Sequence, residues 1–151
     1  MPDEHDEFVG IVQVRVEGHA VPAGERLLLG PTVWWSSRAP VFEASERKFP
    51  ILFPFAWSDV DSLRIRLPDG WKVESLPATP PVSARGVSAY LMTLASAESD
   101  RVVECVRLFD MGMDGMLFFP ASSYGELRKL FELFTDRDRL TVPLARVARA
   151  P

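Results

Sequence analysis

Ser62-Leu63-Arg64-Ile65-Arg66-Leu67-Pro68-Asp69-Gly70-Trp71-Lys72-Val73-Glu74-Ser75-Leu76-Pro77 is the stretch whose reading decides the fold. Leu63, Ile65 and Leu67 alternate with Ser62, Arg64 and Arg66, the period of a half-buried strand. Pro68 presets φ, Asp69 can bond its own backbone and Gly70 takes positive φ, so a tight turn follows. Trp71–Leu76 then returns as a second strand that Pro77 stops, and the unit predicts a β-hairpin.

Outward from this unit the chain keeps the same grammar of short β-like segments punctuated by proline and glycine. Phe8–Glu17 reads as a strand, with Val12, Val14 and Val16 on one face and Gln13, Arg15 and Glu17 on the other. Residues 18–24 read as a loop. Arg26–Leu29 is a short strand that Thr32–Trp35 resumes, and Val41–Ala44 and Pro50–Phe53 are further short strands. Gly86–Ala95 and Arg101–Met111 predict a second hairpin across Ser96–Asp100, and Met116–Phe119 a short strand. Ser123-Tyr124-Gly125-Glu126 has the form of a capping box. Leu127, Leu130, Phe131 and Phe134 follow at helical spacing, and Leu140–Leu144 reads as a last strand. The expectation is a mainly β protein: an antiparallel β-sandwich with one C-terminal amphipathic α-helix, about 123–136, packed on it. Residues 1–7 read as an acidic disordered tail, 8–145 as a single β-sandwich domain, and 146–151 as a flexible C-terminal tail.

Composition narrows the function classes. At 151 residues and 47% apolar the chain can build one full core, and its 13 prolines stand out. The single cysteine forbids an internal disulfide and a cysteine-rich zinc site. A net charge of −4 argues against nucleic acid as a partner. The acidic N-terminus is unlike a signal peptide, and the longest apolar stretch, near Pro50–Trp57, holds two prolines and is too short for membrane insertion. The chain as given reads as soluble.

The stretch from Leu63 to Pro77, together with Arg47 and Pro50 before it, resembles the C-terminal domain of bacterial transglutaminase-like multidomain proteins. Phe119-Pro120, then Tyr124, Leu127, Arg128, Leu130 and Phe131, with Asp136 and Arg139 after them, are similar to the same domain. That resemblance covers most of residues 20–145. It implies a β-sandwich domain of unknown function that follows a papain-like core, a bacterial source, and the cell envelope as a candidate location. The family's chemistry lies in a core with a Cys, a His and an Asp, which nothing here matches. What the resemblance implies is therefore an accessory module, not an enzyme, whose partner is a transglutaminase-like core in cis or in trans.

Read on their own chemistry, the candidate residues agree. No catalytic, cofactor-binding or metal-ligating set stands out. Cys105 lies inside a strand without an activating helix N-terminus, and His5 and His19 fall in a tail and a loop. Asp110–Gly115 resembles a calcium loop but carries Gly112 and Ala121 where ligands are required. Glu74, Glu104, Asp59, Asp61 and Asp69 read as solvated carboxylates, and Arg64, Arg66, Arg85, Arg101 and Arg107 as partners in cross-strand ion pairs. Trp34, Trp35, Trp57 and Trp71 form the candidate ligand or partner surface, and they carry the alternative reading of a glycan- or peptide-binding sandwich.

Overall fold

The strands on either side of the Pro68–Gly70 turn belong to different sheets. The computed structural model describes residues 16–34 and 41–147. Among these residues ten strands and one long helix follow in chain order: β1 (Ala20–Ala23), β2 (Arg26–Leu29), β3 (Ile51–Leu52), β4 (Trp57–Arg66), β5 (Trp71–Val73), β6 (Val82–Ala84), β7 (Ser88–Ala97), β8 (Val102–Met111), β9 (Phe118–Phe119), α1 (Tyr124–Asp138) and β10 (Val142–Arg146). They form a four-stranded sheet in the order β4-β8-β7-β6, a second in the order β1-β2-β10-β5, and a two-stranded sheet β3-β9. Every pairing is antiparallel. The fold is the expected antiparallel sandwich with one C-terminal helix.

The hairpin expected at 62–77 is corrected to a corner between sheets. The turn itself is present, with Gly70 at φ 82° and the Trp71 N–H 3.3 Å from the Pro68 carbonyl. But β4 pairs with β8, and β5 pairs with β10 through Val73↔Leu144 and Trp71↔Arg146. The loop between β7 and β8 sits between the diverging strands. The Leu67 N–H donates to the Arg101 carbonyl at 2.9 Å and the Val73 N–H to the Asp100 carbonyl at 2.8 Å. These bonds satisfy strand ends that a hairpin would have paired with each other.

The second expected hairpin is there, with its first strand lying two residues later than expected. β7 and β8 pair over ten residues each, from Ser88↔Met111 to Ala97↔Val102. Their connection holds Glu98, Ser99 and Asp100 at φ 52°, 54° and 64°, closed by the Arg101 N–H on the Ala97 carbonyl. The expected short strands at Pro50–Phe53 and Met116–Phe119 reduce to β3 and β9, which pair with each other. Residues 18–24, read as a loop, contain β1, which forms a hairpin with β2. Thr32 is buried but outside any strand, Val33 and Trp34 form a turn, and residues 41–44 form no strand. The strand expected at Phe8–Glu17 lies outside the described residues except for Val16 and Glu17, which are not in a strand.

The helix begins at Tyr124, after a 3-10 turn over Ala121–Ser123. Ser123 has φ −87° and ψ 0°, a helical conformation, and makes no side-chain cap. The capping box is therefore corrected: the preceding turn already holds the Ser123 N–H on the Pro120 carbonyl at 2.9 Å. β10 is displaced two residues from Leu140–Leu144 and ends at Arg146, one residue inside the segment read as a tail.

Two cores share the inner face of the long sheet. Leu29, Leu67, Val73, Val103, Val142 and Leu144 fill the space between the two four-stranded sheets. Tyr90, Phe109 and Met111 pack with Ile51, Phe119 and the helix residues Tyr124, Leu127, Phe131 and Phe134 in the other. Each of these large side chains contributes roughly 1.5–3 kcal/mol relative to exposure. The rings of Phe109, Phe131 and Phe134 meet edge to face, with centroids 5.2–6.5 Å apart.

Candidate functional site

Strand alternation aims Val103, Cys105, Arg107, Phe109 and Met111 of β8 at the interior, so a guanidinium lies within an otherwise apolar row. The register sets Asp61 of β4 opposite Arg107. Arg107 Nη1 donates to Asp61 Oδ2 at 3.3 Å, and Nε donates to Asp138 Oδ1 at 2.7 Å. The Tyr90 hydroxyl donates to the same Asp138 oxygen at 2.8 Å, and the Arg107 guanidinium carbon lies 5.2 Å from the Tyr90 ring centre. The Thr32 hydroxyl donates to the Asp138 backbone carbonyl, which joins the segment after β2 to the helix end. Burial would lower the Arg107 pKa, but Asp138, then Tyr90 and Asp61, raise it above its ordinary value. Burial, reinforced by Asp138, pushes the Tyr90 phenol well above its usual range. This cluster is a polar tie between β7, β8, β4 and the helix. The cross-strand ion pair expected of Arg107 is present with Asp61, and its odd-numbered parity with Cys105 and Phe109 is the sequence signal that it points inward.

Cys105 is fully buried in the same row. Burial pushes its thiol up to about 11, with Asp61 adding to the rise and Arg107 opposing it. A thiol so protonated and enclosed is a poor nucleophile. His19 Nε2 donates to the Gly30 carbonyl at 2.6 Å, and His5 lies outside the described residues. Four of the five carboxylates singled out in the sequence have arginine partners: Glu74 with Arg26, Glu104 with Arg64, Asp61 with Arg107 and Asp69 with Arg101. The Arg26 hydrogen bond lowers the Glu74 pKa, and the Arg64 hydrogen bond lowers that of Glu98. In the calcium-like stretch, Met113–Gly115 forms a 3-10 turn and Asp110 accepts from the Ser58 hydroxyl. Among the described residues no group of three or more His, Cys, Asp or Glu side chains is placed to hold a metal ion. Among them, too, no helix is long and apolar enough to cross a membrane.

The tryptophans have separate surroundings. Trp34 is 51% exposed and lines a groove of about 750 Å³ beside β4, with Leu27, Leu63, Ile65 and Leu144. Trp57 packs among Phe53, Phe55 and Phe109. Trp71 is half-buried under the Arg146 guanidinium, 4.8 Å from its ring centre. Trp35 lies outside the described residues.

The small sheet also carries exposed apolar side chains. In the small sheet, Ile51 and Phe119 are partners and face the core, while their neighbours Leu52 and Phe118 are partners and face out. Leu52 is 70% and Phe118 59% exposed, and nearby in sequence Phe49 is 77% and Phe55 64% exposed. Pro50, Pro54 and Pro120 flank the two short strands. Prolines discourage strand addition at such an edge, so this sheet offers side chains rather than backbone to a partner.

Residues 25–144 match a protein family described as a domain of unknown function with solved-structure structure, DUF3858. No curated protein and no solved structure matches the chain.

Proposed function

The chain belongs to the DUF3858 family through residues 25–144, and we propose that it is a non-catalytic accessory β-sandwich that packs against another protein domain. The partner that fits the resemblance of Leu63–Pro77 and Tyr124–Phe131 is a transglutaminase-like core, in cis or in trans. The observation that carries the reading is the outward pair Leu52 and Phe118, flanked by Phe49 and Phe55. A surface strand pair normally turns polar side chains to water, and clustered exposed aromatics mark protein contact surfaces. The chemistry of the interior agrees with this role. Arg107 engages both Asp61 and Asp138, and the one thiol is buried and protonated.

Co-migration of the chain with a transglutaminase-like core in sedimentation tests the proposal. A complex is expected, weakened about tenfold or more by Phe118→Asp, a change of about 1.4 kcal/mol or more in binding. Because Phe118 is exposed, that substitution leaves the fold's stability within about 0.5 kcal/mol. Absence of a complex with cores supplied both as separate chains and as fusions counts against the reading.

A further inference from the structure

One flank of α1 carries a seam that repeats at four, three and four residues: Glu126, Leu130, Leu133 and Arg137. That is the spacing of two helices packed along their length. Glu126 is exposed, Leu133 is 46% exposed, and Leu130 and Arg137 are half-buried. The buried face of the helix, with Leu127, Phe131 and Phe134, is the one that packs into the core. Beside the seam a cavity of about 440 Å³ opens between α1 and the turn from β6 to β7, lined by Leu130, Leu133, Val87 and the 47%-exposed Met116. Apolar side chains thus meet water along a flank that is negative at its N-terminal end and positive at its C-terminal end.

We propose that this flank is a homodimer contact, in which the α1 helices of two copies of the chain pack antiparallel. The argument is self-complementarity. The midpoint of Leu130 and Leu133 is also the midpoint of Glu126 and Arg137. A two-fold axis at that level sets Leu130 of each copy against Leu133 of the other, and Glu126 of each against Arg137 of the other. The parallel arrangement would set Glu126 on Glu126 and Arg137 on Arg137, and like charges oppose it. Glu126 and Arg137 are about 16 Å apart along the helix, so two ion pairs close both ends of the apolar stretch. Leu133 of one copy has the cavity beside Leu130 and Met116 of the other to enter. The charges set register and orientation, and burial of Leu130, Leu133 and Met116 supplies the affinity. So short a seam supports a reversible dimer, not an obligate one. Leu52 and Phe118 lie on the small sheet, outside the seam, so this contact and the proposed partner surface are separable.

Sedimentation equilibrium of the full chain from about 1 μM to about 1 mM tests this, and a monomer–dimer equilibrium is expected. Glu126→Arg makes both ends of the seam basic and Arg137→Glu makes both acidic, so each variant alone is expected to dimerise about tenfold or more weakly. Mixed together, the two variants restore opposite charges at both ends, and they are expected to pair with each other about tenfold or more tightly than either pairs with itself. Glu25→Arg, the same charge change in the turn between β1 and β2, is expected to leave the dimer within about twofold. Leu133→Asp, at an exposed position, is expected to weaken the dimer about tenfold or more with circular dichroism unchanged, and it reads the seam independently of the half-buried Arg137. A chain that stays monomeric up to about 1 mM overturns the proposal. So does a dimer that survives Leu133→Asp, or a mixture of the two folded charge variants that associates no more tightly than its components.

Discussion

Arg107 and Asp138 form a two-pronged pair, 2.7 Å from Nε to Oδ1 and 3.3 Å from Nη2 to Oδ2, that joins the middle of β8 to the last residue of α1. The Arg107 side chain is 3% exposed and that of Asp138 9%. Removing one partner from so enclosed a pair leaves the other charge unpaired in the interior. Arg107→Met is expected to cost about 3–5 kcal/mol in urea unfolding. Replacing Asp61 and Asp138 with leucine in the same chain is expected to recover most of that loss, because the uncompensated charges are gone. A cost within 0.5 kcal/mol for the single change would show that the tie contributes nothing.

The docking of the helix has its own test. Phe134 is buried against Tyr90 and Phe109, whereas Leu130 is half-buried. Phe134→Ala is expected to cost about 3–5 kcal/mol, and Leu130→Ala about 1–2 kcal/mol, in proportion to the smaller apolar area it buries. Equal costs in thermal or urea unfolding contradict this placement.

The Cys105 thiol makes a prediction about alkaline pH. Its pKa is raised from an ordinary value of 9.0 to about 11, so the folded chain binds the proton more tightly than the unfolded chain. That stabilisation is complete below about 9 and is lost as pH rises toward about 11, with a total of order 3 kcal/mol. Comparing the unmodified chain with Cys105→Ala between pH 8 and 10 isolates the effect, because the tyrosines are common to both proteins. A parallel pH dependence in the two proteins contradicts it. A thiol-reactive reagent at neutral pH is expected to label Cys105 only on unfolding.

The sequence carried some of this architecture openly. The helix was legible because Leu127, Leu130, Phe131 and Phe134 repeat at 3.6 residues, and the β7–β8 hairpin because a short connection, four residues from Glu98 to Arg101, joins its two strands. The corner at Pro68–Gly70 was not. Alternation and turn chemistry are identical for a hairpin and for a chain passing between sheets. What distinguishes them is the pairing of Leu67 and Val73 with Arg101 and Asp100, a contact set by residues some 30 positions away. The outward Leu52–Phe118 pair was hidden for the same reason: two-residue strands show no periodicity, and their partnership emerges only when β3 and β9 meet.

Gly112 exposes another long-range constraint. Its φ is 80°, and a Cβ there would meet Leu117 Cδ2 at 2.5 Å and the Ala56 Cβ at 2.9 Å. Gly112→Ala is expected to cost about 2–4 kcal/mol, combining backbone strain with overpacking. Gly115, with equally positive φ but open space around it, is expected to lose only the conformational part, about 1 kcal/mol. Calorimetry of the two variants checks the difference.

The partner surface is tested most directly by titrating isotope-labelled chain with a transglutaminase-like core and mapping the backbone resonances that shift. The account predicts that the changes centre on Phe49, Leu52, Phe55 and Phe118, and that Leu52→Asp abolishes them. Changes centred on the Trp34 groove, or none at saturating core, contradict it.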